Sequence, residues 1–285
     1  MKQSRTALNR ITGWTLFIMA MGLFSLQLGF LVLQTKYNVE YIDNRLFYGI
    51  NIGIAICLSA TIGLLIKQTN KGRLIGSSII FIFILINIFF LYESHKQVNN
   101  IVRISPDYKH VLSIKENRKT GEAFYNKTSY GIFARPKESL PYRTTGNFKV
   151  DWLAKDVAAV TYKATDNTIH QYIGTYGDRG GGSSYYYVGP SIQGQWKGKD
   201  AKVISDTRGI TVIYNGEVDV FNWDQVVQFG TLAVVLTRDN QAVWTISLNE
   251  NFEVHSDSSI PQSGEISLYK ATMKNNKPIT LQYTN

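Results

Sequence analysis

Three stretches of the chain carry no charged side chain: residues 11–34 over 24 positions, 46–66 over 21 and 74–92 over 19. A hydrocarbon core about 30 Å thick is crossed by about 20 such residues as a helix. A helix also satisfies its own backbone polar groups where no water reaches them. The pattern predicts three transmembrane helices, with residues 1–10 as a short tail. The first run exceeds the apolar segment of a secretory signal and ends at Gln34-Thr35-Lys36-Tyr37, which lacks a small-residue cleavage motif. It is therefore read as a retained anchor.

After residue 103 the period changes from that of a helix to two. Short β-branched and aromatic segments at 110–116, 122–126, 130–135, 148–153, 157–163, 169–176, 184–188, 202–206, 210–214, 217–221, 231–237, 242–248, 266–271 and 279–284 alternate with turn signals such as KTG, NG, RDN and KNNKP. Closely spaced short strands with turn residues between them predict an all-β domain over 104–285, either a propeller-like meander or a β-sandwich, with 93–103 as a linker. Three segments read as strand, polar turn, strand. The first opens with Ser105-Pro106-Asp107, which resembles the start of blades in TolB-like and WD40-like propellers, with Tyr108 where those blades carry glycine. The resemblance implies a propeller.

Net charge of +9 and pI near 9.4 suggest a nucleic-acid binder until the charge is divided. Residues 1–92 hold Lys2, Arg5, Arg10, Lys36, Arg45, Lys67, Lys71 and Arg73 against only Glu40 and Asp43, so most of the excess belongs to the membrane part. No nucleic-acid partner is expected. Basic residues concentrate in the tail and in the turn at 67–73, whereas the loop at 35–45 is balanced. By the positive-inside rule the tail and that turn are cytoplasmic, and three spans then put the β domain outside. The only cysteine, Cys57, lies within the second span, so the outer domain has no disulfide. These features predict a multi-pass cell-membrane protein of a single-membrane bacterium.

On the second span Gly49, Gly53, Cys57, Ala60 and Gly63 fall on one helical face. Small residues let helix backbones approach closely, so this face is expected to dock a membrane protein partner. Gln27, Asn51 and Asn87 are polar at depth and are read as interhelical hydrogen-bonding groups. The spans contain no ionisable residue of the kind a transport path uses.

The stretch GDRGGGSSYYY (177–187) poses the main chemical question. A phosphate-cradling loop needs its glycines to open a helix, but strand-like Tyr185-Tyr186-Tyr187-Val188 follows here. RGG nucleic-acid segments are repeated, and this one occurs once. A hairpin remains, with glycines supplying positive φ. Its tip is either a bare turn, the favoured reading, or a ligand loop. In the second case Asp178 and Arg179 would offer hydrogen bonds, and Tyr185 and Tyr187, on one strand face with Trp196 nearby, would offer stacking. Fragments of the penicillin-recognising motifs, SLYK, SLN and KTG, occur in reverse order, and Ser267 lies in a strand where a helix start is required. The four histidines lack ligand spacing, so no metal or cofactor is expected. Asp151, Asp156, Asp206, Glu217, Asp219 and Asp224 supply carboxylates, with nothing to select a pair. The leading expectation is a non-catalytic binding, sensing or accessory module for a membrane partner or an envelope polymer, embedded in the lipid bilayer. The alternatives are an envelope-glycan hydrolase working through paired carboxylates and an accessory or immunity subunit of a transporter or toxin system.

Overall fold

The computed structural model describes residues 2–129, 131–177, 187–253 and 263–284. Contacts divide the chain into two compact units. The first contains helices α1 (Lys2–Tyr37), α2 (Arg45–Leu65) and α3 (Asn70–Gln97), all long and apolar enough to cross a membrane. α1 and α3 run past both ends of their charge-free stretches, whereas α2 nearly coincides with its own. Thr69 caps α3 by accepting a hydrogen bond from the Gly72 amide. Residues 93–103, read as a linker, are instead the last turn of α3 and strand β2 (Val98–Ile104).

Most residues of five strands complete this unit, with 103–104, 111–112 and 123 of those strands counted in the second. After α1, Asn38 takes a left-handed φ of 51° and turns the chain into β1 (Glu40–Tyr41). β2 is followed by β3 (Val111–Asn117), β4 (Ala123–Ser129) and β5 (Phe133–Ser139), and the sheet order is β1-β5-β4-β3-β2. Two residues of the loop between the first two helices thus form an edge strand, with Glu40 opposite Ala134 and Tyr41 opposite Phe133. Tyr108 has a φ of 62°, the left-handed conformation that glycine adopts most easily.

The second unit is all-β. β6 (Thr144–Ala154), β7 (Val157–Ala164) and β8 (Ile169–Thr175) form a three-stranded antiparallel sheet. A one-turn helix, α4 (Val188–Ser191), precedes nine strands: β9 (Gly194–Lys197), β10 (Ala201–Asp206), β11 (Gly209–Tyr214), β12 (Glu217–Asn222), β13 (Val226–Phe229), β14 (Ala233–Arg238), β15 (Gln241–Leu248), β16 (Glu265–Lys270) and β17 (Ile279–Thr284). They pair in the order β12-β11-β10-β9-β17-β16-β15-β14-β13, all antiparallel. The edge strands β12 and β13 are joined by only a 3₁₀ turn, Trp223–Gln225, so the sheet curls into a nearly closed barrel. The meander is one continuous sheet, undivided into blades. At the NG turn, Asn215 and Gly216 take φ of 53° and 84°, the primed geometry that matches strand twist.

Alternation explains both layers. Val234, Leu236, Trp244, Ile246 and Leu248 point into the barrel with Trp196, Val203, Ile210, Phe221 and Leu281. Ala233 and Val235 point outward, as does Ala242 on the far side of the register shift that separates it from Trp244, and Val157, Ala159 and Ile173 of the three-stranded sheet cover them. This covering makes a local sheet-on-sheet layer and accounts for the near-continuous burial of β15. Across it the buried Gln171 amide donates to Thr161 at 2.9 Å and its oxygen accepts from Thr245. In β12 the same alternation puts Phe221 in the core and leaves Val218 and Val220 exposed.

Phe221→Ala in the full-length chain is expected to cost about 3–5 kcal/mol by cavity formation. Val220→Ala, one position away, is expected to cost within about 0.5 kcal/mol. Chemical denaturation followed by Trp fluorescence in detergent checks both, and equal effects would contradict the assigned strand register.

Candidate functional site

Deep in the helices the polar residues form one chain. The Gln27 amide donates to Asn51 Oδ1 at 2.7 Å and to the Phe47 carbonyl at 3.0 Å. The Asn51 amide donates to Asn87 Oδ1 at 3.2 Å, and that of Asn87 to the Phe83 carbonyl at 2.9 Å. Every link satisfies a group that hydrocarbon would leave unpaired. At the upper end the Tyr41 hydroxyl donates to Gln27 Oε1 at 2.6 Å, which carries the chain from α1 to β1. The Tyr41 ring stacks on Phe30 with centroids 4.1 Å apart and lies 5.3 Å from Phe133. Burial pushes its phenol up to about 12.

A second junction lies beside it. Lys115 of β3, only 9% exposed at its side chain, donates to Glu40 at 2.5 Å and to Asn44 at 2.6 Å. Burial pulls the Lys115 pKa down, and the Glu40 carboxylate opposes that pull. Ser113 donates to the Ile42 carbonyl at 3.1 Å. The loop at 38–44 is thus fastened to the sheet by side chains as well as by its ladder.

The small-residue row of α2 is divided. A Cβ on Gly53 would stand 3.7 Å from Leu23 of α1, and Cys57 is buried, so the middle of the row is used within the chain. Thr61, one turn on, reaches the Gly13 carbonyl of α1 at 3.4 Å. Gly49 and Gly63 have open space around them, and Ala60 is half-buried.

For the glycine-tyrosine stretch, Asp178, Arg179 and Tyr185 lie outside the described residues, and with them the hairpin. Tyr187 is 71% exposed and precedes α4, so Val188 begins a helical turn where a strand was expected. Trp196 departs from its expected role: it is fully buried in the barrel core, donates to the Ile192 carbonyl at 2.8 Å, and has no face to offer a ligand.

Asp151 and Asp206 are engaged with neighbours. Asp151 accepts from the Tyr269 hydroxyl and lies 3.5 Å from Lys149. Lys149 also donates to the Thr272 and Lys274 carbonyls and to Asn276. Burial, then the Asp151 contact, pushes the Tyr269 phenol far up. Asp206 pairs with Arg208 at 2.9 Å across a turn. Glu217 is exposed, Asp156 is buried, and Asp224 sits in the 3₁₀ turn. His170 stands 2.7 Å from the Thr168 hydroxyl and stacks on Tyr142, and burial lowers its pKa. Asp166 binds that same Thr168 hydroxyl rather than the imidazole, so the trio lacks the order of nucleophile, base and orienting acid. Among the described residues no cluster of three metal-ligating groups occurs.

One constellation in the barrel unit does bring chemistry together. Asp219, on the inward face of β12, accepts from the Trp244 indole at 3.0 Å and pairs with Arg238 at 2.9 Å. Lys270 stands over the Trp244 and Tyr214 rings at 5.4 and 5.9 Å, and Arg238 over Phe221 at 5.1 Å. The group of one carboxylate, two cations and three aromatic rings lacks a nucleophile, and its Phe221 and Trp244 rings are buried in the barrel core. Sequence reading named Asp219 only as one acid among several. Its period-two relation to Phe221 marked it as inward, while its partners on β14, β15 and β16 came from pairings that sequence does not display. Comparison with family models, with curated proteins and with solved structures found no match.

Burial pushes the Asp219 pKa up, but the bonds from Trp244 and Arg238 outweigh it and hold the carboxyl below the ordinary carboxylate value. A depressed folded-state pKa adds stability that is present above the unfolded value, about 3.9, and is lost as pH falls through the folded value. Asp219→Ala is therefore expected to destabilise by about 1 kcal/mol at pH 7, given the partial exposure of the pair. The difference from the parent chain should vanish in denaturation curves taken below the folded-state pKa. A difference that persists unchanged there would assign the effect to packing alone. Lys115→Met is expected to cost about 1–3 kcal/mol by leaving Asn44 and Glu40 without their donor, read from thermal unfolding of the detergent-solubilised chain.

Proposed function

We propose that the protein is a non-catalytic binding module of a bacterial cell membrane, with its tail and the turn at 67–73 in the cytoplasm and its β strands outside. Two observations support the sidedness. Lys2, Arg5, Arg10, Lys67, Lys71 and Arg73 gather at one end of the helices with no acid among them. The loop at 38–44 pairs with β5 and binds Lys115, which assigns the five-stranded sheet to the opposite end of α2. In intact cells, after Cys57→Ser, a membrane-impermeant maleimide is expected to label Lys119→Cys and to spare Lys71→Cys until the cells are lysed. The reverse pattern would invert the topology.

The observation that carries the binding reading is the barrel seam. Among the described residues β12 and β13 each pair on one side only. Their outward side chains include Val218, Val220 and Val227, exposed by 60%, 59% and 44%. Unpaired strand edges with exposed apolar side chains are normally blunted by charge or covered, and a strand of a partner protein would cover this one. The engagement of Asp151, Asp206 and Asp219 in ion pairs supports a binding role over carboxylate catalysis. Val218→Lys with Val220→Lys is expected to remove proteins that co-purify with the tagged full-length chain while changing its stability by less than about 1 kcal/mol. Unchanged co-purification would exclude the seam as the contact.

A further inference from the structure

The end of the helix bundle that carries the tail holds a hollow of about 870 Å³, lined by Asn9, Arg10, Trp14, Lys67, Gln68 and Arg73 with backbone and apolar groups of residues 63–66. A second hollow of about 540 Å³ shares Arg10 and Trp14 with the first and continues along α1 past Ala7, Ile11, Thr15 and Ile18. The two are chemically unlike. The first gathers three basic side chains with two amides, and the second is almost wholly apolar.

The charge there has no acidic partner among the described residues. No acidic residue occurs between positions 1 and 39 or between 44 and 92. Among the described residues, Arg10, Lys67 and Arg73 make no ion pair with another side chain. Basic residues that only set topology would need no common cavity. Here two elements deliver them to one place. Arg10 lies one turn before Trp14 on α1, Lys67 lies in the short connection from α2 to α3, and Arg73 lies in the first turn of α3. The end of α2 lies close to α1 at Gly13, which has no side chain: a Cβ there would sit 2.6 Å from the Leu65 side chain.

We propose that these joined hollows bind one anionic glycerophospholipid of whichever leaflet meets this end of the bundle. Its phosphate lies among Arg10, Lys67 and Arg73, its glycerol against Trp14, and one acyl chain along Ile11 and Ile18. A fork of two guanidiniums and an ammonium complements a phosphodiester, and the volume fits a headgroup. Basic pockets between membrane helices have the chemistry that selects anionic headgroups. The apolar extension distinguishes a lipid from a free anion, which has no use for a groove along α1.

The test uses the full-length chain in nanodiscs containing equal amounts of phosphatidylglycerol and phosphatidylcholine, released into mild detergent and examined by native mass spectrometry. Retained phosphatidylglycerol is expected to exceed phosphatidylcholine by about tenfold, and Arg73→Gln to reduce the retained fraction about fivefold, in line with one basic residue at an anionic surface. Gly63→Phe keeps every charge, starts from a position with open space around it, and fills the hollow. It is expected to abolish the preference, whereas an Ile11→Ala chain keeps the phosphate contacts and loses retention only partly. Equal retention of the two lipids by the parent chain, or an unaltered preference in both Arg73→Gln and Gly63→Phe, would overturn the site. Displacement of the lipid by millimolar inorganic phosphate would show an anion site without acyl selection and would overturn the lipid assignment.

Discussion

Tyr41 is the residue through which the lipid-embedded part of the first unit and its sheet become one folded structure. Its hydroxyl ends the polar chain that starts at Asn87, its ring packs with those of Phe30 and Phe133, and its backbone pairs with β5. Each role alone is weak. A two-residue strand contributes little pairing, and an interhelical hydrogen bond in a membrane is worth about 0.6 kcal/mol. Together they satisfy a set of groups that has no other partner at that depth, and Lys115 with Glu40 and Asn44 repeats the arrangement beside it. The helices are therefore held by polar contacts at one end and by the Gly13 approach at the other, with an apolar seam between.

Much of this was legible in sequence, for reasons particular to each part. A run of 19 or more uncharged residues has one physical solution in lipid, so the spans were readable and only their ends were not. Strands with one wet face also declared themselves: β10 alternates buried and half-buried along AKVISD. The missed strands lack that contrast. β1 has two residues, β9 and β13 have four, and β2 continues directly from a helix, so each is defined by its partner rather than by its own pattern.

The candidate sites were harder to read because they are made of pairings. Trp196 lies nine positions beyond Tyr187, which suggested one shared platform, but α4 and β9 turn one ring into the core and leave the other in solvent. Asp219, Arg238, Trp244 and Lys270 are spread over 52 positions and meet only because the sheet curls until β12 approaches β14. The small-residue row on α2 was visible as a row, yet its division between α1 at Gly53 and open space at Gly49 and Gly63 depends on where the helices cross.

The 3₁₀ turn between β12 and β13 also governs how the barrel loosens. Eight of the nine strand junctions that a closed cylinder of nine strands needs are laddered, and the ninth is spanned by Trp223–Gln225. The Thr237 hydroxyl bound to the Gln225 carbonyl at 3.0 Å is a clasp on that gap. Widening there breaks no ladder hydrogen bond, so the gap-facing amides of β12 and β13 belong to the least protected class for exchange with solvent, while those of β15 and β16, laddered on both sides, report global unfolding. The line where the ladder is open is also the line that carries the exposed valines.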